Sequence, residues 1–125
     1  MQQLTTSSVS TTTCQHILFV SQDALLGLDL NEALSVAGMP PMIQTRTIED
    51  AASRAMGYRA VIVDLGELDD VPTHIEQLKE LSLPMIVIAD TDDVVRALDL
   101  DANSWFIKPL SADLMILRVL ELIGT

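Results

Sequence analysis

The run Ala60-Val61-Ile62-Val63 is apolar at every position and ends without a break in Asp64. Runs of the same kind recur along the chain: "HILFV" at 16–20, "AVIVDL" at 60–65 and "MIVIAD" at 85–90, with "MIQT" at 42–45 and "WFIK" at 105–108 weaker examples. A strand wet on one face alternates apolar and polar residues with period two. These runs do not alternate, so both of their faces must be covered. That is the signature of strands inside a parallel sheet, buried between helices.

Helical segments separate the runs. Leu26, Leu30, Ala33 and Ala37 recur near helical spacing within 24–38, and Gly38 stops the pattern. Thr47 is a good N-cap, with Asp50 three positions on as a variant of the capping box, and Gly57 ends that helix. Thr73 to Leu81, residues 92–100 and residues 112–123 read as three more helices, the last capped by Ser111 and followed by Gly124. Ser21 and Gln22 stand where they could cap the helix that follows them. The order is strand then helix, five times over. Right-handed crossovers leave few topologies. The expected fold is α/β and flavodoxin-like: a five-stranded parallel sheet, order 2-1-3-4-5, with helices on both faces.

The 125 residues suit one domain. Residues 1–14, "MQQLTTSSVSTTTC", are rich in Ser and Thr without periodicity and are expected to form a disordered tail, with the domain covering 15–125. No apolar run is long enough to span a bilayer, and the N-terminus lacks the basic flank and apolar block of a secretory signal. Cys14 is the single cysteine, which excludes an internal disulfide framework and fits a reducing, cytoplasmic setting. The net charge of −11, with seven scattered Lys and Arg, disfavours nucleic acid and anionic membrane. A protein partner or a small ligand is the expectation.

Sites in such sheets form beyond the carboxyl ends of the strands. Those ends are Ser21-Gln22-Asp23, Asp64, Ala89-Asp90 and Lys108-Pro109. Asp64 and Lys108 are therefore expected to converge on one crevice. Alone, the pair has a plain structural meaning, an ion pair that fixes loop geometry.

Over residues 16 to 123 the chain resembles the receiver domain of two-component response regulators. The matching pieces are "ILFV", "AVIVDL" with Asp64 at the phospho-acceptor place, "PMIVI", and "WFIKPL" with Lys108-Pro109. The resemblance implies that Asp64 takes a phosphoryl group from a histidine kinase, with Lys108 as the phosphate's counter-ion. It puts Ser21 and Gln22 at the two acid-pocket positions that help bind Mg²⁺. Ala89 falls at the position of the switch hydroxyl, and Trp105 at that of the aromatic switch. Its size makes Trp105 equally suited to packing or to a partner surface.

Three departures separate the chain from that pattern. Ser21 and Gln22 carry no charge, and Ala89 has no hydroxyl. The stretch from Ala89 to Lys108 is shorter than in most receivers by about one helical turn. In this it is similar to stand-alone receivers with a reduced fourth helix. Their Phe-Ala-Thr-Gly-Tyr signature is replaced here by Val87-Ile88-Ala89-Asp90-Thr91. Phosphoryl transfer needs the gathering charge neutralised, usually by Mg²⁺ on one or two carboxylates. Asp23 and Asp90 lie close in sequence but not at the matched places.

The expectation is therefore an atypical, degenerate receiver: not an enzyme, without a resident cofactor, binding Mg²⁺ weakly. It would act mainly as a protein-interaction module in phosphorelay signalling. Its partner would be a histidine kinase, a phosphotransferase or another signalling protein, docking near the fourth and fifth helices and Trp105, where a homodimer is also expected to form. Two other readings stand beside it. One is an active single-domain response regulator phosphorylated on Asp64. The other is a small-ligand-binding flavodoxin-like domain, which lacks a phosphate loop after the first strand. His16 and His74 belong to no ligand-spaced cluster. Asp69-Asp70 and Asp92-Asp93 suit solvated helix starts, and Cys14 has no neighbouring base to activate it.

Overall fold

A computed structural model of the chain describes residues 16–54, 57–67, 76, 79, 80, 83–90 and 102–124. The expected tail at 1–14, the helix expected at 92–100 and most of the one expected at 73–81 lie outside the described residues, as do Cys14, His74, Asp69-Asp70 and Asp92-Asp93. The strands are β1 (Leu18–Val20), β2 (Ile43–Thr45), β3 (Val61–Asp64), β4 (Met85–Ala89) and β5 (Ser104–Ile107). The helices are α1 (Ala24–Val36), α2 (Ile48–Arg54) and α3 (Ala112–Ile123), and a 3₁₀ turn at Leu65–Glu67 follows β3.

The five strands form one sheet in the order β2-β1-β3-β4-β5, every pairing parallel. This is the 2-1-3-4-5 arrangement expected from the sequence. Leu18 and Val20 of β1, Val61 and Val63 of β3, and Val87 and Ala89 of β4 project to one face, where Ile48 and Ala51 of α2 cover them. Ile17 and Phe19, Ile62, and Ile86 and Ile88 project to the other, beneath Leu30 and Leu34 of α1 and Met115 and Val119 of α3. Both sets are buried, which is why the runs show no polar alternation. Each fully buried aliphatic side chain contributes about 1.5–3 kcal/mol.

Helix ends follow their local chemistry, with one correction. The Thr47 hydroxyl accepts from the Asp50 amide at 3.1 Å, and the Ser111 hydroxyl from that of Leu114 at 3.3 Å. The cap of α1 is neither Ser21 nor Gln22 but Asp23, whose carboxylate accepts from the Leu26 amide at 3.0 Å. Ser21 is buried and turned towards β3, and Gln22 is exposed. Gly38 sits at φ +80° just past α1, a left-handed conformation that side chains with a Cβ adopt at a cost.

Candidate functional site

Side-chain alternation along the strands decides what reaches the carboxyl edge of the sheet. The row Ile17-Phe19 continues into Ser21, Ile62 into Asp64, and Phe106 into Lys108, all on the α1/α3 face. The backbone fixes the tips. Ser21 N donates to Thr45 O at 2.9 Å, and Lys108 N donates to Ala89 O at 2.9 Å. Three strands thus bring one hydroxyl, one carboxylate and one ammonium to a common point.

Asp64 is fully buried. The Ser21 hydroxyl donates to its Oδ2 at 2.9 Å. The Lys108 ammonium donates to Oδ2 at 3.3 Å and lies 3.1 Å from Oδ1, off hydrogen-bonding geometry for the second oxygen. The lysine head is the better-solvated partner, with 23% of its side chain exposed. The Ser21 oxygen also accepts from the Asp23 amide at 2.9 Å, and the Ser21 carbonyl accepts from Gln44 Nε2 at 2.8 Å. Donor and acceptor roles of the hydroxyl are both in use.

Of the matched positions, Gln22 and Ala89 are one step out of phase with the row that holds Asp64: Gln22 is exposed, and Ala89 is buried on the α2 face. The in-phase residue after β4 is Asp90, following Ile86 and Ile88. Its carboxylate crowds the backbone after β3. A Cβ added to Gly66 would lie 2.6 Å from Asp90 Oδ2 and 3.9 Å from Asp64 Oδ1. Counting alternate positions from Ile86 points to Asp90. Trp105 pairs with Val87 in the β4–β5 register and is 40% exposed on the edge strand. The peptide bond between Lys108 and Pro109 is cis. Asp23, Leu26, Lys108, Pro109 and Leu110 line a cavity of about 360 Å³ beside the ion pair.

A divalent cation at Asp64 needs further hard oxygen ligands, one of them usually anionic. The group adjoining Asp64 on β1 is instead a neutral hydroxyl that already donates to it. Among the described residues no three His, Cys, Asp or Glu side chains gather where they could hold a metal. This donor set, with Asp90 beside Gly66 as the second nearby carboxylate, fits Mg²⁺ less well than an acid pair on β1 would.

No protein-family model matches the chain, and no curated protein matches it. Solved structures do. The receiver domain of the sensor histidine kinase PA1611 from Pseudomonas aeruginosa, with magnesium coordinated in its active-site cleft, superposes with a TM-score of 0.74 at 18% identity, over 89% of this chain and 98% of that one. The non-phosphorylated HemR receiver domain from Leptospira biflexa gives 0.70 at 25% identity, over 90% and 96%. An atypical orphan response regulator with a phosphorylation-independent regulatory mechanism gives 0.67 at 21%, over 86% and 94%.

Proposed function

We propose that this chain, which has the fold of a response regulator receiver domain, is an atypical member of that class and works mainly by binding other signalling proteins. The observation that carries the reading is the hydrogen bond from Ser21 to Asp64. It stands where a receiver needs anionic ligands for Mg²⁺, and it engages an oxygen of the would-be nucleophile. Lys108 neutralises Asp64 from the other strand tip, so the carboxylate is stable without a metal. Mg²⁺ would bind weakly, and phosphorylation would be slow or absent. Such a module catalyses no reaction of its own and needs no resident cofactor.

Its partners would be histidine kinases, phosphotransferases or other proteins of a phosphorelay, met in the cytoplasm. No helix among the described residues is long and apolar enough to cross a membrane. Trp105, half-exposed on β5, is an anchor of the type protein interfaces favour, and it would serve a heterologous partner or a second copy.

Acetyl phosphate with Mg²⁺, followed by intact mass, tests the reading. Transfer would form a bond from an Asp64 oxygen to phosphorus and release acetate. The expected spectrum shows little or no added phosphoryl mass. Rapid, stoichiometric labelling that disappears in Asp64→Asn would instead establish an active single-domain response regulator.

A further inference from the structure

The two oxygens of Asp64 are not equivalent. Oδ2 accepts from both the Ser21 hydroxyl and the Lys108 ammonium. Oδ1 is buried and accepts a hydrogen bond from none of the described residues, although Lys108 Nζ lies 3.1 Å away. Oδ1 is therefore the oxygen with a lone pair to offer. A Cβ added to Gly66 would lie 3.9 Å from it. Gly66 is exposed and has no side chain, so the approach to Oδ1 past it is open.

Asp90 stands at that approach. It follows β4 and is exposed, and its Oδ2 and Cγ lie 2.6 and 3.4 Å from the same added Cβ. Asp64 and Asp90 thus flank one opening from the paired strands β3 and β4. The charge of Lys108 is taken up by the inner carboxylate, Asp64. Transfer from acetyl phosphate would form the bond from Oδ1 to phosphorus while the bond from phosphorus to the acetyl oxygen breaks, its electron pair leaving with acetate. The phosphorus must come up to Oδ1, and this carries the phosphoryl oxygens past Asp90. Two phosphoryl charges about 6 Å from a hydrated carboxylate are repelled enough to slow the reaction about tenfold.

We infer that Asp90 is a specificity-determining residue of this site, an electrostatic gate that discriminates against anionic phosphoryl donors. The inference rests on the reading of Asp64 as a poor acceptor and gives it a second cause: too few metal ligands slow transfer once a donor is in place, and Asp90 keeps the donor out. A cation held between the two carboxylates would reverse the role, because Asp90 would then help to draw a donor in. Two features favour the gate. Asp90 is exposed, so water satisfies its charge without a metal, and Lys108 already neutralises Asp64.

The test compares the full chain with Asp90→Asn, which keeps the size and removes the charge, and Asp90→Glu, which keeps the charge. Both changes are at an exposed position and should leave the circular dichroism spectrum unaltered. Labelling rates at fixed Mg²⁺ are followed by intact mass with two donors, acetyl phosphate and the less negatively charged phosphoramidate. Where parent labelling is below detection, that limit stands as the parent rate. Asp90→Asn should raise the acetyl phosphate rate at least about tenfold and the phosphoramidate rate clearly less. Asp90→Glu should stay near the parent. Added salt should speed the parent more than Asp90→Asn, because screening acts on the charge and not on the shape of the side chain. Trifluoroberyllate, an unreactive anion of phosphoryl shape, should shift amide resonances at 64–66 in ¹⁵N-labelled Asp90→Asn at concentrations that leave the parent unchanged. A lower rate in Asp90→Asn would make Asp90 a metal ligand and overturn the proposal. So would equal gains with the two donors, a gain in Asp90→Glu as large as in Asp90→Asn, or an Asp90→Asn protein that neither labels faster nor binds trifluoroberyllate better than the parent. The parent rate alone judges the poor-acceptor reading and the ratio of variant to parent judges the gate, so the two fail separately.

Discussion

The Lys108 ammonium sits within 3.3 Å of both oxygens of Asp64, a carboxylate with no exposed surface. Removing one partner of a buried pair leaves the other unpaired in a poorly solvated place, and this costs more than the pair gained by forming. Lys108→Met should therefore lower unfolding free energy by about 3 kcal/mol. Asp64→Asn should cost less, because the remaining ammonium can reach water. Urea denaturation of both single variants and the double variant measures the pair. A double variant as unstable as the sum of the singles would show that the two groups do not interact.

Ser21 donates to Asp64 and accepts from the Asp23 amide. Ser21→Ala strips one partner from a buried carboxylate and another from a backbone N–H. The expected loss is about 1–3 kcal/mol, read as a lower midpoint in urea. Ser21→Cys, similar in size but a weak donor, should recover only part of it.

Ser21→Asp should behave in the opposite sense towards metal. In chelator it places a second carboxylate against Asp64, and like charges at that range destabilise the fold. Millimolar Mg²⁺ should then restore thermal stability by mass action, since it binds only the folded form. The parent chain should show little such response. A parent melting temperature that rises steeply with Mg²⁺ would contradict the fit drawn for this site.

Two glycines separate crowding from backbone strain. Around Gly38 no atom lies within 4 Å of an added Cβ, but φ is +80°, so Gly38→Ala should cost about 1 kcal/mol. At Gly66 the new Cβ would lie 2.6 Å from Oδ2 of Asp90, an exposed side chain that can turn away, and 3.9 Å from Asp64 Oδ1. Gly66→Ala should cost less than about 1 kcal/mol, and less still in an Asp90→Ala background. Melting temperatures of Gly38→Ala, Gly66→Ala, Asp90→Ala and the Gly66→Ala, Asp90→Ala double variant, each against the parent, check both statements.

Much of the sheet was legible because apolar continuity and strand-helix order both depend on burial, which the sequence records directly. Asp64 and Lys108 were legible for the same reason: each is a charge at the end of an apolar run, and such ends meet at one edge of a parallel sheet. The partners of Asp64 were harder. Matching Ser21 and Gln22 as a pair treats neighbours alike, although consecutive strand residues point to opposite faces. Ser21 donates to Asp64, and Gln22 is exposed. Ala89 was singled out by its place in a motif, while Asp90 has the phase that leads to Gly66. The cap of α1 passed from Ser21 to Asp23 because a hydroxyl already donating into the crevice is held there. The edge strand expected at 105–108 begins one residue earlier, at Ser104.

The alternation that fills the core also aims the crevice, and this makes the site vulnerable to a change that alters none of its residues. One extra residue between Ile62 and Asp64 would invert the facing of everything after it on β3. The carboxylate would swing to the α2 side, away from Ser21 and Lys108, while composition and charge stayed almost the same. In chains built like this one, the count of residues along a strand is as much a functional specification as the identity of the acid at its tip.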